Sequence, residues 1–438
     1  MNKSLKLESS EFSYLKSIGQ NLLVKGVAIP MSFLCGVLLA RYLGVDDYGL
    51  YAITISYIAL ACAGLVRAIS VTVVKEVAAA ITSGEFEKIN GVVLISIAII
   101  LISAGFFLVA ESVFAESSYQ FFDSFLELII LTLALTLVGS MLRGLMRPTT
   151  GLFVEQALKP LIQCIIIIIM TSGVAVAAFN YEDGIDSLKV SLFLSLFVGI
   201  LFLFYIIKTS MPIRGISIQK KWLIKSIPLL IFLGYMQGFN VQLPIVMMSI
   251  FSESSEVAFF KVGMALPALI GMILVAVNVA LGPRISSLIA TNNWDEFNHL
   301  LRVSCSVVIA IVIPMIIFFI FFSETIILNI FGNDYEKSIE IIIILCVAQF
   351  ISCYVGPLIL TLNMLNRETI NIVAILISIA TSIISGCILI PDNGSYGAAL
   401  TYLFSVLASS FYLFLKSMQV RNINYLPYFR LSDYQKYK

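Results

Sequence analysis

Leu39-Ala40-Arg41-Tyr42-Leu43-Gly44-Val45-Asp46-Asp47-Tyr48-Gly49-Leu50-Tyr51 joins two long apolar runs, residues 18–40 and 49–74. A helix needs about 20 mostly apolar residues to cross a bilayer, and each run meets that length. The polar stretch between them is too short to be a domain. It reads as the tip of a membrane hairpin. Gly44 and Gly49 permit a tight turn, and Tyr48 and Tyr51 are expected at interfacial depth as aromatic anchors. Arg41 is expected to form an outer-face pair with Asp46 or Asp47.

The same pattern extends along the whole chain. Of 438 residues, 60% are hydrophobic and only 12% charged, and the mean hydropathy is +1.01. Soluble domains carry about 25% charged residues. Twelve apolar segments can be marked, at about 18–40, 49–74, 91–110, 124–146, 152–179, 190–208, 222–250, 256–282, 302–322, 339–363, 369–390 and 395–416. In-span prolines such as Pro30, Pro160, Pro244 and Pro357 predict kinks, which membranes tolerate where neighbours satisfy the freed carbonyls. The fold class is therefore all-α integral membrane protein. The seven cysteines all lie in apolar spans with no CxxC and read as packing residues. The single histidine, His299, falls in a polar connection, which argues against a His-based metal site.

Lys and Arg in short loops set orientation. With the N-terminus inside, 20 of the 27 cations fall on the cytoplasmic side and only Arg41, Lys189 and Lys337 on the other. Both termini are thus expected in the cytoplasm. Residues 1–20 lack the apolar core and cleavage site of a signal peptide, so the first apolar run reads as a retained span. The outer loops are acidic and short, the longest being residues 323–338. That argues against an enzyme such as a membrane glycosyl polymerase or ligase, which needs a sizeable outer loop.

Two stretches repeat. Tyr48-Gly49-Leu50-Tyr51 resembles Val257-Ala258-Phe259-Phe260, and Glu85-Phe86-Glu87-Lys88-Ile89 resembles Glu296-Phe297-Asn298-His299-Leu300. The offsets, 209 and 211, are nearly equal and fall at matching topological places. The expected organisation is two parallel six-helix bundles, residues 1–210 and 211–438. Such repeats are a transporter signature, with the substrate site between the halves.

The 39–51 junction, together with Pro391-Asp392-Asn393-Gly394-Ser395-Tyr396-Gly397-Ala398-Ala399 before the last span, resembles polysaccharide flippases of the Wzx type. These belong to the multidrug/oligosaccharidyl-lipid/polysaccharide (MOP) exporter superfamily. The resemblance covers essentially the whole chain. It implies a MATE-like V-shaped pair of bundles in the bacterial cytoplasmic (inner) membrane. The implied activity is alternating-access transfer of an undecaprenyl-pyrophosphate-linked oligosaccharide, such as an O-antigen repeat unit, to the outer leaflet. No bond is made or broken and no cofactor is implied beyond a coupling H⁺ or Na⁺. The implied partners are that glycan lipid, membrane lipids and other polysaccharide-assembly proteins, with no nucleic acid. A drug antiporter of the same superfamily is the alternative. A lipid II flippase of the superfamily usually carries two further spans.

Four cations lie inside apolar spans: Lys25, Arg67, Lys159 and Lys261. A charge at the bilayer centre costs at least about 2.5–3.5 kcal/mol, so such residues usually face a cavity or a partner. No carboxylate lies at that depth without a nearby cation. A cavity lined by cations favours an anionic cargo such as pyrophosphate. Each cation also has a structural reading. Lys25 could serve only to fix helix packing, while Arg67 and Lys261 could snorkel to the surface. Lys159 could pair with Glu155, which sits at i−4. Glu155 is also the candidate for ion coupling. Gln237, Asn240 and Gln242 cluster on the seventh span, suited to sugar hydroxyls or to interhelical bonds. The basic, Tyr-rich tail from Lys416 onward is suited to anionic lipid.

Overall fold

The computed structural model describes residues 2–114, 125–173, 179–210 and 220–419, with the backbone alone at residues 2–18 and a few other positions. The basic tail beyond Gln419, the connection 211–219 and the acidic residues Glu116 and Asp123 lie outside the described residues. All regular structure among the described residues is helical.

Ten helices are long and apolar enough to cross a membrane. Two of them are each a pair joined at a non-helical glycine, so twelve spans are present among the described residues. Helix Asn2–Ser83 breaks at Gly44 (φ 75°, ψ 179°) into α1 (2–43) and α2 (45–83). Helix Glu368–Gln419 breaks at Gly394 (φ 51°, ψ −125°) into α11 (368–393) and α12 (395–419). A Cβ makes these dihedrals costly, which is why glycine occupies both breaks. Between them run α3 (Glu87–Phe114), α4 (Phe125–Gly144), α5, α6 (Tyr181–Ser210), α7 (Lys220–Phe251), α8 (Ser254–Ala290), α9 (Trp294–Ile330) and α10 (Lys337–Met364). The fifth, α5, is composite: Pro148–Leu152, a π-helical turn Phe153–Leu158, then Lys159–Gly173.

Several helices overrun their apolar cores. Helices α9 and α10 leave only residues 331–336 between them, so the expected sixteen-residue outer loop is mostly helix. Likewise Glu182, Asp183 and Asp186, expected in an outer loop, fall in the first turns of α6. There their charge complements the helix dipole.

The chain divides into two compact units, Met1–Gln242 and Leu243–Lys438. In the first, α4 is the central helix. Leu128, Ile129, Leu133 and Leu142 are fully buried, and α4 packs on α2 and α6. In the second, α10 is central and packs on α8, α9 and the α11–α12 pair. Its buried residues Leu358 and Leu362 join Leu301, Cys305 and Leu413 in one cluster. Between lipid-immersed helices the stabilisation comes from close packing rather than from water exclusion. Large side chains such as Phe193, Phe204, Phe321 and Ile384 are left on outward faces.

Both units use the same turn. The hairpins α2–α3, α4–α5, α8–α9 and α10–α11 each place a left-handed residue after the helix: Gly84, Met146, Asn292 and Asn366. In each case the next N–H bonds back five residues: Glu85 to the Ala80 carbonyl (3.0 Å), Arg147 to Leu142 (3.2 Å), Asn293 to Leu288 (3.1 Å) and Arg367 to Leu362 (2.9 Å). This is the Schellman closure, which satisfies carbonyls left over at a helix end. A second device also recurs. Asp47, opening α2, accepts from the Tyr181 N–H that opens α6 (3.0 Å). Glu256, opening α8, accepts from the Ser395 N–H that opens α12 (2.8 Å). Asp47 and Glu256 are separated by 209 residues, the offset of the first sequence repeat.

Candidate functional site: intramembrane charges of the N-terminal unit

Helix α5 is positioned by glycine contact. A Cβ on Gly151 would run into the Gly139 carbonyl and Arg143 Cγ, so the two helices approach backbone to backbone. Each glycine precedes a charged residue by one turn, Gly139 before Arg143 and Gly151 before Glu155. The close approach brings those two side chains together. Arg143 Nη2 lies 2.9 Å from Glu155 Oε2, with the side chains 17% and 16% exposed. Arg143 Nη2 also donates to Ser70 Oγ on α2 (3.0 Å) and to Ser140 Oγ (2.9 Å).

Glu155 sits within the π-helical turn Phe153–Leu158. Pro160 lies two residues beyond that turn and has no N–H for the carbonyl four residues back. Such single π turns recur at functional sites. The ion pair is incompletely bonded. Glu155 Oε2 meets Arg143 by distance but has no aligned hydrogen bond, and Arg143 Nε is buried without a partner. Hydrogen-bonding capacity is therefore left over in a low-dielectric site, where unsatisfied groups are costly.

Arg143 is the residue that sequence reading missed, because near the end of the 124–146 run it counted with the cytoplasmic-side cations. Of the two readings of Lys159, the pair with Glu155 is not formed, since Glu155 turns to Arg143. Lys159 lies instead near Cys35 of α1 and Cys62 of α2. It makes no ion pair among the described residues.

Arg67 is one turn from Ser70 on α2. It is half-buried and its Nη1 donates to Gln237 Oε1 on α7, while its Nε is buried without a partner. A second glycine contact sets up this bond. A Cβ on Gly234 would come 2.7 Å from the Ala63 carbonyl and 2.9 Å from Arg67 Cβ. Gly238, one turn on, meets Ala63 as well. This small-xxx-small pattern lets membrane helices approach closely. Tyr235, between the two glycines, donates its hydroxyl to the Ala61 carbonyl (3.1 Å).

Arg67, Arg143 and Lys159 are thus linked through neighbouring turns of α2, α4 and α5. Among the described residues Arg143 is the one of the three that pairs with the carboxylate Glu155, so Arg67 and Lys159 add positive charge that no carboxylate balances.

The remaining candidates are more dispersed. Lys25 is half-buried on α1, one turn beyond Gln20 and Asn21, whose side chains accept from Thr149 Oγ1 at the start of α5 (3.4 Å each). Lys25 itself makes no ion pair among the described residues. Asn240 and Gln242 are half-buried on α7. Lys261 belongs to the C-terminal unit, half-buried on α8 and without an ion pair among the described residues. Its neighbour Glu256 is engaged by Ser395 and by Lys337 (3.6 Å).

The junction tyrosines are not surface anchors. Tyr48 and Tyr51 are 6% and 5% exposed and stack on each other at 6.5 Å. The Tyr51 hydroxyl accepts from Gln163 Nε2 on α5 (2.9 Å). Asp47 caps α6 through the Tyr181 N–H.

A family described as MatE matches residues 230–389, a stretch shorter than half of the chain. No curated protein matches by sequence. Among solved structures, the chain is similar to an inward-closed lipid II flippase MurJ, with TM-score 0.64 and 17% identity over 91% of this chain and 87% of that one. It is also similar to an inward-facing multidrug resistance MATE family transporter of the MOP superfamily, with TM-score 0.70 and 12% identity over 90% and 94%. An outward-facing MATE transporter gives 0.62 and 12% over 92% and 94%. At such identities the likeness shows the fold. This chain has the all-α membrane fold of those proteins, which are transporters and flippases rather than enzymes.

Proposed function

We propose that this protein is a flippase for an anionic lipid-linked oligosaccharide, with undecaprenyl-pyrophosphate repeat units as cargo. The single observation that carries the reading is the excess of intramembrane cations. Arg67, Lys159 and Lys261 have no carboxylate partner among the described residues, while Glu155 is already neutralised by Arg143. A guanidinium offers pyrophosphate a bidentate fork, and Arg67 holds only a neutral amide in its place. Gln237 and Asn240 supply neutral polar groups of the kind that bind sugar hydroxyls. Similarity to a lipid II flippase supports a lipid-linked cargo. The transfer is alternating access in the cytoplasmic membrane, with Lys25 at the cytoplasmic end of the path.

Cation-coupled drug antiport is the second reading. Glu155 favours it, as a half-buried carboxylate on a π turn, and so does the likeness to MATE transporters. In that reading Arg143 releases Glu155 to bind H⁺ or Na⁺.

The test is a deletion strain of the native host, with lipid extracts analysed by mass spectrometry. The flippase reading expects undecaprenyl-pyrophosphate-linked repeat units to accumulate, surface polysaccharide to be lost, and wild type but not Arg67→Ala to restore both. Intact surface glycan with new sensitivity to cationic drugs would overturn it in favour of antiport.

A further inference from the structure

A cavity of about 620 Å³ opens in the C-terminal unit, far along the chain from the intramembrane charges. Its walls come from three places. Arg367 closes the α10–α11 turn, Thr369, Ile370 and Val373 begin α11, and Tyr412, Lys416 and Gln419 end α12. The turn holds Arg367 in place, because Asn366 is left-handed and the Arg367 N–H is bonded to the Leu362 carbonyl. The floor is firm too. Ile370 and Tyr412 pack on the buried cluster that contains Leu358, Leu362 and Leu413.

The lining carries two cations and no carboxylate. Neither Arg367 nor Lys416 forms an ion pair among the described residues. Lys416 Nζ donates only to Gln419 Oε1, at 3.0 Å. Ile370 and Val373 add apolar surface to the lining, and Val373 is exposed. Two cations, apolar side chains from the start of a membrane span and a tyrosine lining one cavity match the chemistry of a phospholipid. Phosphate would sit between Arg367 and Lys416 while an acyl chain lies along α11. The positive-inside count puts both cations on the cytoplasmic side, where anionic lipids attract basic groups near the surface.

We propose that this cavity is a binding site for an anionic phospholipid of the cytoplasmic leaflet, held by Arg367 and Lys416. The site uses none of the residues proposed for the cargo, so its occupancy can be tested whatever cargo the protein carries.

The experiment is native mass spectrometry of the full chain released from nanodiscs of mixed phosphatidylglycerol and phosphatidylcholine. Wild type is expected to retain phosphatidylglycerol in preference to phosphatidylcholine. Each cation should account for about fivefold in affinity, so Arg367→Gln with Lys416→Gln should bind roughly 30-fold more weakly. A charge-preserving exchange, Arg367→Lys with Lys416→Arg, should retain the lipid and shows that loss in the neutral variant is not a folding defect. Equal retention by wild type and the neutral variant would overturn the proposal. Displacement of the lipid by millimolar inorganic phosphate or glycerol phosphate would also overturn it, by assigning the cavity to a soluble phosphate.

Discussion

The N-terminal unit holds Arg67, Arg143, Lys159 and Glu155 on adjoining turns of three helices, whereas the C-terminal unit holds Lys261 on α8 and places its ion pair, Glu256–Lys337, at the start of α8 and α10. The backbones nevertheless share their devices: two Schellman-closed hairpins each, and a carboxylate capping the start of a later helix, α6 in one unit and α12 in the other. Equivalent scaffolds thus carry unequal chemistry. Caps and turns recur because any helical hairpin must satisfy its terminal N–H and C=O groups, most of all in lipid. Charges in lipid need a separate justification, which the proposed pyrophosphate cargo supplies for the N-terminal unit.

The largest effect is expected at Arg143. Arg143→Leu leaves Glu155 as a half-buried charge without its partner, and breaking such a pair costs about 3–5 kcal/mol. Thermal unfolding in detergent should drop sharply, and adding Glu155→Gln should recover most of the loss. A single variant as stable as wild type would mean that the pair is not structural and would blur the contrast between the units.

Next come the unpaired cations. Arg67→Gln is expected to lower flipping at least tenfold, about 1.4 kcal/mol in transition-state terms. Arg67→Lys should recover only part, because an ammonium lacks the fork. Lys261→Gln in the other unit should cost less than Arg67→Gln under the same complementation assay, and the reverse order would move the centre of the site to α8.

The caps sharpen the comparison from the other direction. Asp47→Ala and Glu256→Ala each remove the acceptor at a helix start, worth about 1 kcal/mol. Melting temperatures should fall by similar amounts, and inertness of either variant would break the equivalence of the two scaffolds. The smallest effect concerns a turn. Gly84→Ala forces a Cβ into a left-handed position and should cost about 1 kcal/mol, seen as a slight drop in melting temperature.

Much of the fold was legible because apolar length is a strong signal: all twelve runs correspond to helical spans. Helix ends were not, because polar and acidic residues such as Glu182 and Asp183 extend helices past the apolar core that hydropathy detects. Tyr48 and Tyr51 misled for a related reason. Tyrosine suits both a membrane interface and a buried hydrogen bond, and only the place of Gln163 on α5 decides between them. In the site, Arg67 and Lys159 stood out as charges deep in apolar runs, but Arg143 lay near the end of the 124–146 run and counted with the cytoplasmic cations. Its partner followed from the packing of Gly139 on Gly151, a contact between helices that one-dimensional spacing does not reveal.

The most direct test is a flipping assay in proteoliposomes that contain only this protein and a fluorescent undecaprenyl-pyrophosphate oligosaccharide. Wild type should expose the labelled lipid on the opposite leaflet, Arg67→Gln should slow this at least tenfold, and an uncharged polyprenyl oligosaccharide should not compete. Equal rates for wild type and Arg67→Gln, or equal competition by the uncharged lipid, would contradict a cation-based pyrophosphate site.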